Sequence, residues 1–332
     1  RSEKSLKNIQ KLIGLQGLIF THLNNLIMKD NLDSLGIGKA LELFPEQIET
    51  TFEQAMASNI QKLEIDSVII SGMGGSSNAG KIIQGLVESE NKIQMVIYND
   101  YGLPGWVNEK TLVVANSYSG NTEETLSGYE EAKKIGAKVI GISTGGKIND
   151  VIINPGLTNP SGFPKSGLGI SFGALFGVLT KFGLLNYSKD DLYKSLDELV
   201  EIRKTWNAKE TAQWLNGYLP VLFSGRPFLG ALNAGRNAMC EISRNLTQFY
   251  DFPEVDHVLI EATQKPDLAS KIRFVFFESQ FIHPRIKTRF DITKKIFEKQ
   301  GLRTTSYILH ATTILGQSLE LAHYCTWVGY HL

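Results

Sequence analysis

The chain has 332 residues, 42% hydrophobic and 20% charged, values that suit a globular protein with a large core and, by length, two domains more readily than one. Lys plus Arg and Asp plus Glu balance at 34 each. No net field therefore recruits nucleic acid or an anionic membrane, and an anionic ligand has to be held by local geometry. Two cysteines, Cys240 and Cys325, make no disulfide framework and point to a reducing compartment, the cytoplasm. No run of eighteen apolar residues suggests a membrane helix, and the N-terminus lacks the shape of a signal peptide. The chain opens without Met and stops within a helical pattern, so trimming at both ends is expected.

Apolar residues at helical spacing between 3 and 28 (Leu6, Ile9, Leu12, Ile13) predict a first helix, and Pro45 precedes a second over Glu46 to Lys62. Four short β-branched runs follow, "DSVIISG", "IQMVIYND", "TLVVANS" and "KVIGIST", interleaved with helical stretches such as "AGKIIQGLVES" and "EETLSGYEEAKKIG". Strand alternating with helix implies a parallel sheet covered on both faces. The Pro- and Gly-rich segment from Pro155 to Gly169 reads as a long loop, and such loops inside compact domains are often functional. "ISFGALFGVLTKFGLL" reads as a buried helix, followed by a polar helical connection. A second alternation begins at "LPVLFSGR" and continues through the helical "FLGALNAGRNAMCEISRNL", the strand-like "DHVLIEA", the strand "RFVFFES", the helix "TRFDITKKIFEKQGL" and a final apolar helix from Ser318. "VIISGMGG" and "VLFSGRPF" open the two alternations alike, a faint internal duplication. The expected architecture is α/β in two domains, residues 1–185 and 186–332, each a parallel sheet between helical layers.

Two strand ends carry unusual loops. "SGMGGSSNAG" has Gly72, Gly74 and Gly75 before Ser76 and Ser77, and "SYSGNTEET" has five hydroxyls in nine residues. Ligands of open α/β sheets sit at the carboxyl ends of strands. Glycine lets backbone approach a ligand, a helix start offers unpaired N–H groups, and hydroxyls donate without bringing charge. Side by side the loops would form a neutral phosphate cradle. Two plainer readings compete. Thr122 or Asn121 could simply cap the next helix. Alternatively, "GMGGSS" is a near miss to a dinucleotide fingerprint with Asp100 as its ribose acid, although the last glycine is Ser77 and the hydroxyl loop is left without a task.

"GMGGSS" followed about forty residues on by "SYSGNTEETL" resembles the sugar isomerase (SIS) domain. More narrowly, the chain resembles the bifunctional phosphoglucose/phosphomannose isomerase family, which has two such domains of flavodoxin-like three-layer form. The resemblance implies that Gly75, Ser76, Ser117, Ser119 and Thr122 contact a sugar phosphate. It also covers "CEISRNLTQFYDFPEVDH", where Glu241 and His257 keep the family's sixteen-residue spacing, with "EISR" in place of an "ENAK"-like run. Lys165 stands where the family has an arginine after proline. A catalytic lysine beyond a "DPT" segment in the family has no counterpart before Leu332.

Moving a proton between C2 and C1 of an aldose phosphate needs one base within reach of both carbons. Glu241 is the expected base, its pKa raised where small neighbours (Ala231, Ala234, Ala238) let its helix pack closely. Lys165 would steady the enediolate, and His257 would assist ring opening. The resemblance places that histidine on the neighbouring subunit and so implies a homodimer. No cofactor or metal is expected. The expected substrates are glucose 6-phosphate, mannose 6-phosphate and fructose 6-phosphate. The alternative is a non-catalytic phosphosugar sensor on the same fold, and an aminosugar isomerase is a third reading. Outside that scheme Glu241 would be a surface carboxylate paired with Arg236 or Arg244, His257 a strand-end histidine, Lys165 a solvated loop lysine and "HPRIKTR" a solvated polar edge. Cys240 reads as a small buried residue.

Overall fold

Parallel pairing dominates the computed structural model, which describes residues 33–61, 64–88 and 93–332. The helix expected between 3 and 28 lies outside the described residues. A short helix α1 (Ile37–Glu42) leads into α2 (Phe44–Ala57), which has Pro45 in its first turn, where a missing N–H does no harm. Ile48, Phe52 and Ala55 share one face of α2 and are fully buried. Then come β1 (Ser67–Ser71), α3 (Gly74–Val87), β2 (Gln94–Tyr98), β3 (Thr111–Asn116), α4 (Glu123–Ile135), β4 (Lys138–Ser143) and β5 (Val151–Ile152). The strands form one parallel sheet in the order β2-β1-β3-β4-β5. Every residue of β3 is buried, as a continuous apolar run in the middle of a sheet covered on both faces should be. The apolar helix α5 (Leu168–Lys181) is enclosed along almost its whole length, between α2 and α3.

Two polar helices connect to the second sheet. In α6 (Lys189–Ile202), the Ser188 hydroxyl accepts from the Asp191 N–H while the Asp191 carboxylate accepts from the Ser188 N–H, a reciprocal cap. After α7 (Ala208–Leu215) come β6 (Leu219–Gly225), α8 (Leu229–Ile242), β7 (Gln248–Phe252), α9 (Leu259–Ala262), α10 (Pro266–Ala269), β8 (Ile272–Glu278), α11 (Pro284–Lys299), β9 (Arg303–Ile308) and α12 (Ile314–His331). The second sheet is parallel in the order β7-β6-β8-β9. That order repeats β2-β1-β3-β4 strand for strand, so the duplication suspected from "VIISGMGG" and "VLFSGRPF" is a duplication of topology. Packed phenylalanines, among them Phe223, Phe274, Phe276 and Phe297, fill its core, with Phe223 stacked on Phe274.

Two local expectations need correction. "DHVLIEA" is no strand: Glu254–His257 is a single tight turn and α9 follows. The turn is anchored because the Asp256 carboxylate accepts from Arg289 at 3.1 Å and from Thr293 at 3.0 Å, so the segment cannot extend along the sheet. The edge strands β7 and β9 were not expected. "QFYDF" and "RTTSYI" bury only part of one face each and carry no apolar run. "HPRIKTR" opens α11 as a polar, solvated start, with the His283 Nδ1 accepting from the Arg285 N–H.

The two lobes meet along α3 and α8, and the contacts run in opposite order on the two helices. A side chain at Gly85 would begin 2.2 Å from the Pro227 carbonyl oxygen, and one at Gly230 would begin 2.0 Å from that of Lys81. Further along, Asn78 Oδ1 accepts from Asn233 at 2.7 Å and from Asn237 at 3.0 Å. The helices are thus antiparallel, and the start of α3 lies beside the end of α8. Gly230→Val would have to push backbone from backbone. It is expected to lower unfolding free energy by roughly 2–3 kcal/mol in urea titration. Gly105→Ala, where an added carbon meets nothing within 4 Å, should stay within about 0.5 kcal/mol.

Candidate active site

The loops after β1 and β3 are stitched to each other. Asn116 Nδ2 donates to the Ser76 carbonyl at 3.0 Å, and the Tyr118 N–H donates to Ser76 Oγ at 3.1 Å. Gly72 lies so close to Asn116 that a side chain there would meet its carbonyl oxygen at 2.6 Å. Gly120 has φ of +66°, and an added carbon would stand 1.8 Å from the Gly145 carbonyl oxygen, so the turn accepts glycine alone.

Neither helix that starts from these loops has a side-chain cap. Thr122 occupies the cap position of α4, but its hydroxyl pairs with Ser117 Oγ at 2.9 Å and leaves the helix start uncapped. The plain capping reading therefore fails. Ser117 Oγ also accepts from the Gly120 N–H at 3.1 Å, Ser119 Oγ from the Asn121 N–H at 3.3 Å, and Ser76 Oγ from Tyr118. A hydroxyl has one hydrogen to give and lone pairs to receive. Ser76, Ser117 and Ser119 each accept one backbone N–H, and the hydrogens of Ser76, Ser119 and one of the Ser117–Thr122 pair remain able to donate. Together with two uncapped helix starts, this is a donor-rich, uncharged cluster suited to a phosphate; of the five residues expected to hold one, Gly75 lines the cavity of Glu241, and Ser76, Ser117, Ser119 and Thr122 do not. The dinucleotide reading gains nothing from the geometry. The Asp100 carboxylate folds back on the Tyr101 N–H, and Ser77 accepts from Asn99.

Lys165 reaches the same place from the long loop, on a tight turn, Pro164–Ser166, whose Pro164 carbonyl oxygen lies 3.8 Å from where a Gly75 side chain would begin. Sequence reasoning missed the residues that hold this turn. Gln47, fully buried on α2, donates to the Ala40, Thr158 and Ser166 carbonyls, and Asn159 donates to the Tyr118 hydroxyl at 2.9 Å. A lone Gln on the apolar face of a helix was the available signal. Asn78 and Asn237 were missed as well, since their pairing is visible only once α3 and α8 cross.

Glu241 ends α8 and lines one cavity with Gly75, Asn78, Lys165 and Asn237. Its side chain keeps an open face to solvent, yet enough protein surrounds the carboxyl for burial to push its pKa up. The Lys165 ammonium opposes that rise without cancelling it. The expected small neighbours are in place: Ala234 and Ala238 line the same cavity, and Ala231 is buried. Glu241 forms no ion pair with Arg236 or Arg244. Arg236 instead donates to Asn233 at 2.9 Å and lies over the Phe249 ring. Cys240 is half-buried beside it, its thiol toward the Thr247 carbonyl at 3.7 Å. His257 is not brought in. It is exposed at the end of the turn after β7 and does not line the cavity of its own chain.

Residues 63–148 match the family model of the SIS domain, and residues 204–332 match that of the bacterial phospho-glucose isomerase C-terminal SIS domain. A bifunctional phosphoglucose/phosphomannose isomerase from Caldicellulosiruptor bescii is 35% identical over 76% of this chain and 80% of its own length. One from Aquifex aeolicus is 33% identical over 80% of this chain and 83% of its own. Among solved structures, the C-terminal domain of glucosamine-fructose-6-phosphate aminotransferase from Francisella tularensis superposes with a TM-score of 0.63 at 15% identity, over 88% of this chain and 95% of that one, which supports the double-SIS fold. With both lobes matched and a third of the residues shared over most of the length, the chain belongs to the bifunctional phosphoglucose/phosphomannose isomerase family.

Proposed function

We propose that the protein interconverts glucose 6-phosphate and/or mannose 6-phosphate with fructose 6-phosphate through an enediol or enediolate. The observation that carries this reading is the single cavity that joins Glu241, Lys165 and the uncapped start of α3. The phosphate is held by the hydroxyls of Ser76, Ser117, Ser119 and Thr122 and by N–H groups around Gly75. The sugar carbons then extend toward the end of α8. Glu241 takes the C2 proton of the open-chain aldose and returns it to C1, while a hydroxyl proton passes from O2 to O1. Burial suits it to this work, because a base with a raised pKa holds the proton long enough to redeliver it. Lys165 offsets the charge that develops on the enediolate oxygens.

Ring opening falls to His257 of a second copy in a homodimer. The reading is supported by its exposure on the surface, away from its own chain's cavity. The lobes are divided at 185/186, where Gly183 at φ +70° ends α5 and the Ser188 cap starts α6. A cytoplasmic setting suits two free thiols and a phosphosugar substrate; no helix among the described residues is long and apolar enough to cross a membrane.

Fructose 6-phosphate in deuterated water should exchange its C1 hydrogen. Glu241→Gln should lower kcat by at least about a hundredfold with little change in affinity, whereas Ser119→Ala should raise KM by about tenfold. Binding without exchange in the wild type would instead favour a phosphosugar sensor. Lys165→Met removes the charge that lowers the Glu241 pKa. The acid limb of its kcat/KM profile should therefore move to higher pH, and an unmoved limb would detach Lys165 from the base.

A further inference from the structure

One buried side chain among the residues lining the cavity carries a polar atom with no partner. His323, on α12, is 1% exposed, yet it is among the residues that line the same cavity as Glu241 and Lys165. The imidazole is fixed from several sides: it stacks on Phe44 at 4.4 Å, and Trp206 and Trp327 meet it edge-on. The Trp327 Nε1–H donates to His323 Nε2 at 3.2 Å. An indole nitrogen only donates, so Nε2 must present its lone pair and the ring hydrogen must sit on Nδ1. That Nδ1 is buried and makes no hydrogen bond. Burial, aided by the Arg203 charge, holds the imidazole pKa down to about 3, so the ring stays neutral and the tautomer does not change across working pH. One turn on, Thr326 lines the same cavity and gives its only hydroxyl hydrogen to the Ala322 carbonyl at 2.7 Å. Its oxygen is left as an acceptor. A fixed donor and a fixed acceptor at helical spacing match a group that both accepts and donates. A hydroxyl does this; a carbonyl or a phosphate dianion does not.

We propose that His323 and Thr326 form a second polar contact of the substrate cavity, in which the Nδ1–H donates to, and Thr326 Oγ1 accepts from, one hydroxyl of the bound phosphosugar. This deepens the isomerase reading and rests on the same cavity. It makes His323 a substrate-binding residue with no part in proton transfer. A buried donor left unpaired in the free protein and paired in the complex favours ligands that bear the hydroxyl over those that lack it.

The test compares three variants of the full-length protein by calorimetric titration, with fructose 6-phosphate and inorganic phosphate as probes. His323→Phe should weaken fructose 6-phosphate binding about tenfold and leave inorganic phosphate, which needs only the cradle, unchanged. His323→Asn carries an amide N–H near the position of Nδ1 and should recover affinity to within about threefold. His323→Gln can keep the Trp327 partner but has no donor at the Nδ1 position, and it should remain as weak as the Phe variant. Rescue by Gln and not by Asn would mean that the histidine only braces Trp327, and the proposal would fall. Equal loss of both probes in His323→Phe would overturn it too. Because the readout is binding, a wild type that binds fructose 6-phosphate without turning it over would count against the isomerase reading alone and would leave this comparison intact.

Discussion

Between α3 and α8 there is no room for a side chain at Gly230 or Gly85, because the backbone carbonyls of Lys81 and Pro227 already occupy the space. Helices that touch this closely cannot slide without separating, since each small residue seats against backbone and not against a flexible side chain. Antiparallel crossing then does the functional work. It sets the uncapped N-terminus of α3, an anion-attracting end, beside the C-terminal turn of α8 that carries Glu241. The Asn78–Asn233–Asn237 bonds fix the same crossing with polar groups that would be expensive to leave unpaired. The start of α3 on one lobe and Glu241 on the other thereby share a cavity, although no sheet among the described residues spans both.

Electrostatics within that cavity are modest by design. The chain is neutral overall and the Gly- and hydroxyl-rich loops after β1 and β3 carry no basic residue. A strong cationic cluster would bind a phosphate well but would also pull the Glu241 pKa down and weaken it as a base. Hydroxyls and helix N–H groups avoid that conflict. Lys165 is the cation next to the base, and the carboxyl stays raised in spite of it.

Much of this was legible locally and little of it over distance. The buried strand "TLVVAN" and the two Gly- and hydroxyl-rich loops announce themselves because their pattern is contained in a few neighbouring residues. Edge strands β7 and β9 were hidden because a half-exposed strand need not be apolar. "DHVLIEA" misled because its β-branched residues suit a strand, while the hold of Arg289 and Thr293 on Asp256 comes from a distant helix. For the same reason Gln47, Asn78 and His323 stayed silent. Each is a polar residue within a helix, and its role is set by partners that only the fold supplies. Glu241 could be singled out through the family resemblance that pairs it with His257, but its nearness to Lys165 follows from the loop and helix packing together.

The central claim is geometric: the phosphate held at the α3 and α4 starts delivers the sugar carbons to Glu241. A crystal structure with an aldonic acid phosphate, whose carboxylate imitates the planar enediolate, tests it most directly. The account requires the phosphate within hydrogen-bond distance of Ser119 and Thr122 and the carboxylate beside Glu241. A ligand seated instead at the opposite end of the helix seam, in the cleft between Lys81 and Arg226, would contradict it.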